Sequence, residues 1–242
     1  MNENIEKLRM MIKDARSIVF FGGAGVSTES GIPDFRSQDG LYSQKWDVPP
    51  ETVLSHHYFM QHPDRFFGFH REKILHPEAA PNAAHKALAA LEQAGKLKAI
   101  ITQNIDGLHQ KAGSRNVLEL HGSIWRNYCM QCGKAYSLEY ISQSRGVPHC
   151  SCGGIIKPDV VLYEESLNED VIDASLRAIE SCDMLIVGGT SLTVYPAAAF
   201  IRYFRGRYLV IINRSPTPMD QNADLVISGS IGEALSQALD NQ

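Results

Sequence analysis

Apolar and polar positions fall into two rhythms along this chain. Ile5, Leu8, Met11 and Ile12 recur at helical spacing, so residues 3–15 are predicted to form an amphipathic helix. Short β-rich apolar runs follow at 17–21, 99–102, 117–120, 184–187, 208–212 and 225–227. Between several of them lie helical patterns at 82–94 (Ala84, Leu88, Leu91), 167–181 (Leu167, Val171, Leu176, Ile179), 196–205 and 231–239. Strands alternating with helices predict an α/β fold, a Rossmann-like parallel sheet with helices on both faces.

Two stretches break the rhythm. Residues 40–76 are rich in aromatics, histidine and proline, and residues 128–156 hold four of the five cysteines. Both are too long for plain connections and are expected to build a cleft against the sheet. The predicted division is therefore a dinucleotide-type domain over 1–39, 77–127 and 157–242, a helical insertion over 40–76, and a small zinc-binding module over 128–156.

The module rests on its cysteines. Cys129-x-x-Cys132, 17 intervening residues and Cys150-x-Cys152 make two pairs that can present four thiolates to one tetrahedral ion. Four thiolates leave no open coordination position, so a structural zinc is expected; two disulfides or a redox couple are the rival. Cys182 stands apart, just before an apolar run, and reads as a small buried core thiol.

Candidate chemistry gathers at strand ends. After the first strand, Gly23-Ala24-Gly25-Val26-Ser27-Thr28 reads as a glycine turn opening a helix, where backbone N–H groups and the helix dipole favour a pyrophosphate. Taken alone the two glycines serve a tight turn equally well, and the dinucleotide fingerprint lacks its third glycine and its acidic residue about 20 positions on. Ile32-Pro33-Asp34-Phe35-Arg36 adds a stiffened loop with an anion, an aromatic and a guanidinium side by side. Thr102-Gln103-Asn104-Ile105-Asp106 should emerge at a carboxyl edge, as a hydrogen-bonding site or as local caps. His121-Gly122 ends another strand, where a histidine is either structural or a base. Gly189-Thr190-Ser191 and Asn213 follow later strands and suit a nucleotide's backbone approach and ribose hydroxyls.

Composition narrows the classes. With 242 residues, 44% hydrophobic and 21% charged, the chain is an ordinary globular protein. A net charge of −4 and dispersed basic residues give no reason to expect direct nucleic acid binding. No apolar run reaches the roughly 20 residues of a membrane span, and the polar amino terminus points to the cytoplasm.

Taken in order, these motifs resemble the sirtuins, NAD-dependent protein lysine deacylases, along nearly the whole length. The resemblance implies that NAD is bound and consumed, with its pyrophosphate near Gly23, Ala24, Gly25 and Thr28 and its adenosine near Gly189, Thr190, Ser191, Asn213 and Ile231. Phe35, Arg36 and Gln103 would shape the cofactor site, Ile105 and Asp106 would meet the nicotinamide, and Asn104 would order ribose and water. It further implies that the acetyl oxygen of a substrate lysine displaces nicotinamide, that His121 is the general base, and that the products are deacetylated lysine and O-acetyl-ADP-ribose. Acetyl-lysine proteins or peptides would pair with Val160, Val161 and Tyr163 on one side and Val194 and Tyr195 on the other.

Two departures qualify the resemblance. Sirtuins commonly have Phe-Gly-Glu where this chain has Tyr163-Glu164-Glu165, so loop geometry and peptide preference are open; the added carboxylate either favours basic substrates or faces water. The Tyr-x-x-Arg pair of sirtuins that remove acidic acyl groups is absent from Arg65–Arg71, which predicts an apolar acyl pocket. The competing functions are a protein mono-ADP-ribosyltransferase on the same NAD site and a noncatalytic NAD sensor or zinc-stabilised binding module.

Overall fold

The computed structural model describes residues 3–239. In chain order, α1 (Glu3–Asp14) leads to β1 (Ile18–Gly22), followed by α2 (Pro50–Val53), α3 (His56–Gln61) and α4 (Pro63–Phe69). Then come α5 (Ala83–Gln93), β2 (Leu97–Thr102), α6 (Leu108–Lys111), β3 (Val117–Glu119), β4 (Gly122–Cys129), β5 (Ala135–Ser137), α7 (Leu138–Gln143) and β6 (Ile156–Val160). The described chain closes with α8 (Glu169–Ser181), β7 (Met184–Gly188), β8 (Tyr208–Asn213), β9 (Leu225–Ser228) and α9 (Ile231–Leu239).

The main sheet has six parallel strands in the order β3-β2-β1-β7-β8-β9. The order reverses beside β1, which creates the crevice at the carboxyl ends where open α/β sheets take ligands. The strands are apolar throughout because both faces are covered. On β1, Ile18 and Phe20 join a core with α1, α5 and α9, while Val19 and Phe21 point to the opposite core with α8. The same alternation divides Met184 and Ile186 from Leu185 and Val187 on β7. On α1, Ile5, Leu8, Met11 and Ile12 are all buried, so the predicted stripe is the packed one.

Two expected helices take a tighter form. The segment after Gly23 makes two 3-10 turns, Ala24–Val26 and Thr28–Ser30, in place of an α-helix. Gly31 follows in the left-handed region at φ 83°, and Pro33 has no amide hydrogen to continue a ladder. No long helix dipole therefore faces the crevice here. Residues 197–203 are likewise 3-10, within the helical interval predicted at 196–205.

A second lobe stands over the crevice. Its three-stranded antiparallel sheet, β5-β4-β6, reaches from Gly122 to Val160 and so extends past 128–156 at both ends. The helical segment and the cysteine segment share one core: Phe59, Phe66 and Phe67 pack with Cys129, Ile141, Cys150, Ile156 and Leu162. Arg71 fastens the two from the side, donating to the carbonyls of Ile141 and Gly146 at 3.2 and 2.6 Å and to Ser144 Oγ at 2.7 Å. Among the described residues no helix is long and apolar enough to cross a membrane.

Candidate active site

Between sheet and lobe lies a cavity of about 1250 Å³, larger than the ~300–1,000 Å³ usual for small-molecule sites. It has room for a dinucleotide and an extended side chain together. Every residue assigned above to cofactor, catalysis or peptide lines it, from the glycine turn through Asn104, His121 and Val160 to Tyr195, Asn213 and Ile231.

The glycines also serve the packing of the two turns, a role their spacing alone does not show. A Cβ on Gly23 would lie 2.9 Å from the Gly189 carbonyl oxygen, and one on Gly25 would lie 2.8 Å from the Gly189 Cα. The Gly25 amide donates to the Gly189 carbonyl at 2.8 Å, and the Gly23 amide to the Gly188 carbonyl at 3.2 Å. Thus the turns after β1 and β7 are knitted to each other at the point where the strand order reverses. Gly189 adopts φ 62°, and a Cβ there would sit 2.4 Å from the Val26 nitrogen. Gly189→Ala is expected to cost about 1–3 kcal/mol through strain and overpacking and to weaken NAD binding. Chemical denaturation and NAD titration check this; a variant as stable as the parent would refute the account.

A chain of polar side chains runs under the crevice. Asn104 Nδ2 donates to Ser27 Oγ at 3.0 Å, and Ser27 Oγ donates to Asp106 Oδ2 at 2.7 Å. Asp106 Oδ1 accepts the Leu108 amide at 2.9 Å, and the Asp106 carbonyl accepts Trp125 Nε1 at 2.7 Å. These bonds fix Asn104, Ser27 and Asp106 in one arrangement before any ligand arrives. Ser27 is 1% exposed and acts as the bridge between the other two. Gln103 Nε2 reaches Thr190 Oγ1 at 3.1 Å, joining the ends of β2 and β7 across β1. Asn213 Nδ2 donates to the carbonyls of Thr190 at 3.2 Å and Ser215 at 2.8 Å, which leaves its Oδ1 to accept from a hydroxyl.

His121 sits in the two-residue turn between β3 and β4. Its Nδ1 lies 2.9 Å from the Gln103 carbonyl, which can only accept, so Nδ1 carries the hydrogen and the neutral ring keeps its lone pair on Nε2. Burial pushes its pKa below the ordinary value, against a smaller upward pull from the Gln103 carbonyl. The imidazole is therefore neutral and able to take a proton at neutral pH. Gly122, at φ 75°, lets the chain turn straight into β4; a Cβ there would lie 1.9 Å from the Asp159 carbonyl oxygen.

The departing segment keeps a glycine-like shape. Glu164 adopts φ 76° in place of the family's usual glycine. Its carboxylate accepts the His57 amide at 3.1 Å and lies 2.7 Å from His57 Nδ1, so helix α3 holds the loop in this conformation. Those bonds lower the Glu164 pKa, the His57 amide contributing most. Glu165 turns inward to Lys157, at 3.0 Å, and to the Leu162 amide, at 2.9 Å.

The lobe's side of the cavity also holds residues not picked out beforehand, among them Phe66, His70 and Ile74. His70 is 2% exposed, stacks on Phe66 with ring centres 5.6 Å apart, and has neither nitrogen hydrogen-bonded. Burial, followed by the nearby Arg71 charge, pushes its pKa down to about 3. It carries no charge at neutral pH and counts as part of an apolar wall. The spacing of Phe59, Phe66, Phe67 and His70 was the available signal for that buried face.

In the cysteine segment all four sulfurs lie within 4.8 Å of one another. Cys129 and Cys152 Sγ are 3.4 Å apart and Cys132 and Cys150 Sγ 3.6 Å, far beyond the ~2.05 Å of a disulfide. Four thiolates ~2.3 Å from a tetrahedral zinc would be separated by about 3.8 Å, so the donor set fits that ion. The Cys152 amide, then the Tyr136 hydroxyl, pull the Cys150 pKa down to about 5, while against the Gly154 amide the sulfurs of Cys129, Cys132 and Cys150 push Cys152 up to about 12, the mutual repulsion that a bound cation would relieve.

A Rossmann-like sheet with a crevice at its switch point, a poised histidine and a closed four-thiolate lobe together define an NAD-using enzyme stabilised by zinc. The Sir2 family model matches residues 23–196, and the chain belongs to the Sir2 family. It is 59% identical over 241 residues to the NAD-dependent protein deacetylase of Clostridium acetobutylicum, covering 98% of each chain. It is 57% identical to the protein of the same name from Clostridium perfringens, covering 99% of this chain and 100% of that one. A solved Sir2 complex with a p53 peptide and NAD+ superposes with a TM-score of 0.87 at 38% identity, covering 98% and 97% of the two chains.

Proposed function

We propose that this chain removes acetyl groups from protein lysine side chains in a reaction that consumes NAD, with His121 as general base. The observation that carries the reading is the neutral His121, its Nδ1 tied to the Gln103 carbonyl, in the same cavity as the knitted glycine turns and the 160–163 segment. Relatives named NAD-dependent protein deacetylases and a solved neighbour holding both a peptide and NAD+ support the same conclusion.

When bound, NAD supplies a ribose carbon made electrophilic by its cationic nicotinamide leaving group. The chain's own residues do the rest. Gly23, Ala24, Gly25 and Thr28 would hold the pyrophosphate, with Phe35 and Arg36 above it. Gly189, Thr190, Ser191, Asn213 and Ile231 would hold the adenosine. Ile105 and Asp106 would receive the nicotinamide end, and Asn104, fixed through Ser27, would orient the ribose hydroxyls. His121 Nε2 would accept a hydroxyl proton from the ribose. Zinc, held by Cys129, Cys132, Cys150 and Cys152, would have no part in bond-breaking because its shell is closed.

The peptide would extend between Val160, Val161 and Tyr163 on one side and Val194 and Tyr195 on the other, adding a strand to each. The acyl group would meet the apolar wall of Phe66, uncharged His70 and Ile74, which suits acetyl over acidic acyl groups. All five cysteines are free thiols, in keeping with a reducing compartment, and the cytoplasm is the proposed place of work.

Mass spectrometry of NAD with a panel of acylated peptides tests this. Acetyl-lysine peptide should give deacetylated peptide, nicotinamide and O-acetyl-ADP-ribose, and succinyl-lysine peptide at least about tenfold less. Comparable turnover of both would refute the apolar pocket. ADP-ribose left attached to the peptide or protein, with the acetyl group retained, would make the chain a transferase instead.

A further inference from the structure

Tyr163 differs from the family's usual phenylalanine by one hydroxyl, and that hydroxyl has a partner: Tyr42 Oη, 2.6 Å away. Tyr42 follows the Phe35-Arg36 segment in the chain and packs against the small core of Leu41, Val53 and Phe69. Its amide donates to the Phe35 carbonyl at 2.9 Å, its ring packs edge-on to Phe35 at 5.6 Å, and the Arg36 guanidinium lies 5.5 Å over its face. Leu41, beside it, is buried against Val53 and Phe69.

The Tyr163 end is equally constrained. Its amide donates to the Leu54 carbonyl and its carbonyl accepts the His56 amide, both at 3.0 Å, forming a parallel bridge with Ser55. Next to it, Glu164 is clamped by His57. Burial, then the Tyr163 hydroxyl, hold the Tyr42 phenol above its ordinary value, so Tyr42 keeps its proton at neutral pH. The pair is thus a hydrogen bond between two braced supports. One support carries the loop proposed to cover NAD, and the other carries the segment proposed to pair with the substrate peptide.

We infer that Tyr42 is a positioning residue whose hydrogen bond to Tyr163 keeps the cofactor loop and the peptide segment in their binding-competent arrangement before either ligand arrives. The inference rests on the deacetylase reading for the identity of the two ligands. It has a distinctive thermodynamic consequence. If the competent arrangement is only partly populated, each ligand binds more weakly alone by that fraction, and the second ligand recovers what the first has lost. Removing the latch should therefore create a dependence of each ligand on the other, whereas a purely structural defect would weaken binding under all conditions.

The test is titration of ADP-ribose, which cannot react, into the full chain with and without saturating acetyl-lysine peptide. Tyr42→Phe is expected to weaken ADP-ribose alone by about threefold to tenfold, the reach of one hydrogen bond, and the peptide should restore the parent's affinity. Tyr163→Phe should behave alike, and the double variant should lose no more than either single one. An unchanged affinity in Tyr42→Phe, or a weakening that persists under saturating peptide, would overturn the latch. Peptide deacetylation by the parent chain is measured separately, so failure of the latch and failure of the deacetylase reading give different results.

Discussion

His121→Ala should lower peptide-dependent nicotinamide release and deacetylation by at least about 10²-fold, within the 10²–10⁴ range of a lost general base. NAD binding and thermal stability should stay close to the parent's, because the side chain makes a single hydrogen bond, through Nδ1, and lies in a turn rather than in either sheet core. The pH profile offers a second check on the same residue. Burial disfavours the imidazolium, so the base is unprotonated over most of the working range, and its acid limb must lie below the ordinary histidine value of ~6.5. Activity should rise with pH through that limb and be level with respect to this group at pH 7–8. Parent-like turnover by His121→Ala would remove it from the role of base; an acid limb above 7 would contradict the environment described for it.

The second large effect concerns the cysteines. Cys129→Ser should lose zinc and melt the whole lobe, not just the loops that carry the sulfurs. Cys129 and Cys150 lie in the same core as Phe59, Phe66, Phe67 and Leu162, so the metal, the helical segment and one wall of the cavity are a single packing unit. Structural zinc sites contribute roughly 10–16 kcal/mol in small domains, comparable to or greater than the ~5–15 kcal/mol that stabilises an ordinary domain. Hydrogen exchange should show lost protection over 54–75 and 122–160 while the parallel sheet keeps its own, and metal analysis should find no zinc. Cys182→Ala is the control. That thiol is buried against the other sheet face, where burial and then Asp183 push its pKa up to about 12, and its loss should leave zinc content intact. Stoichiometric zinc and full lobe protection in Cys129→Ser would refute the shared-core account.

Much of this architecture can be read from residue order alone. Six apolar runs locate the six parallel strands, and alternation on β1 explains why those runs are continuously apolar: Ile18 and Phe20 go to one face, Val19 and Phe21 to the other. The cavity lining follows from strand ends, since Gln103, Asn104, His121, Gly189 and Asn213 all come at or after a carboxyl terminus of the sheet or in a turn beside it. The misread parts depend on contacts distant in sequence. A helix after Gly23 is a fair local expectation, but Gly31 and Pro33 stop it at two 3-10 turns. That Gly25 must also lack a side chain to admit Gly189, 164 positions away, has no local signal. Ser27 as the bridge between Asn104 and Asp106 also has no local signal, because the bond closes only when the ends of β1 and β2 come together. The union of the helical and cysteine segments is of the same kind: each is bounded in sequence by strand and helix patterns of the main sheet, and only the folded chain puts Phe66 and Cys129 in one core.

That union has a practical corollary. Phe66 and Leu162 of the cavity lining share their core with Cys129 and Cys150, so loss of the metal is expected to loosen the surface against which a peptide would lie. A preparation only partly loaded with zinc is then expected to turn over peptide in proportion to its metal content, although the metal takes no part in the bond-breaking.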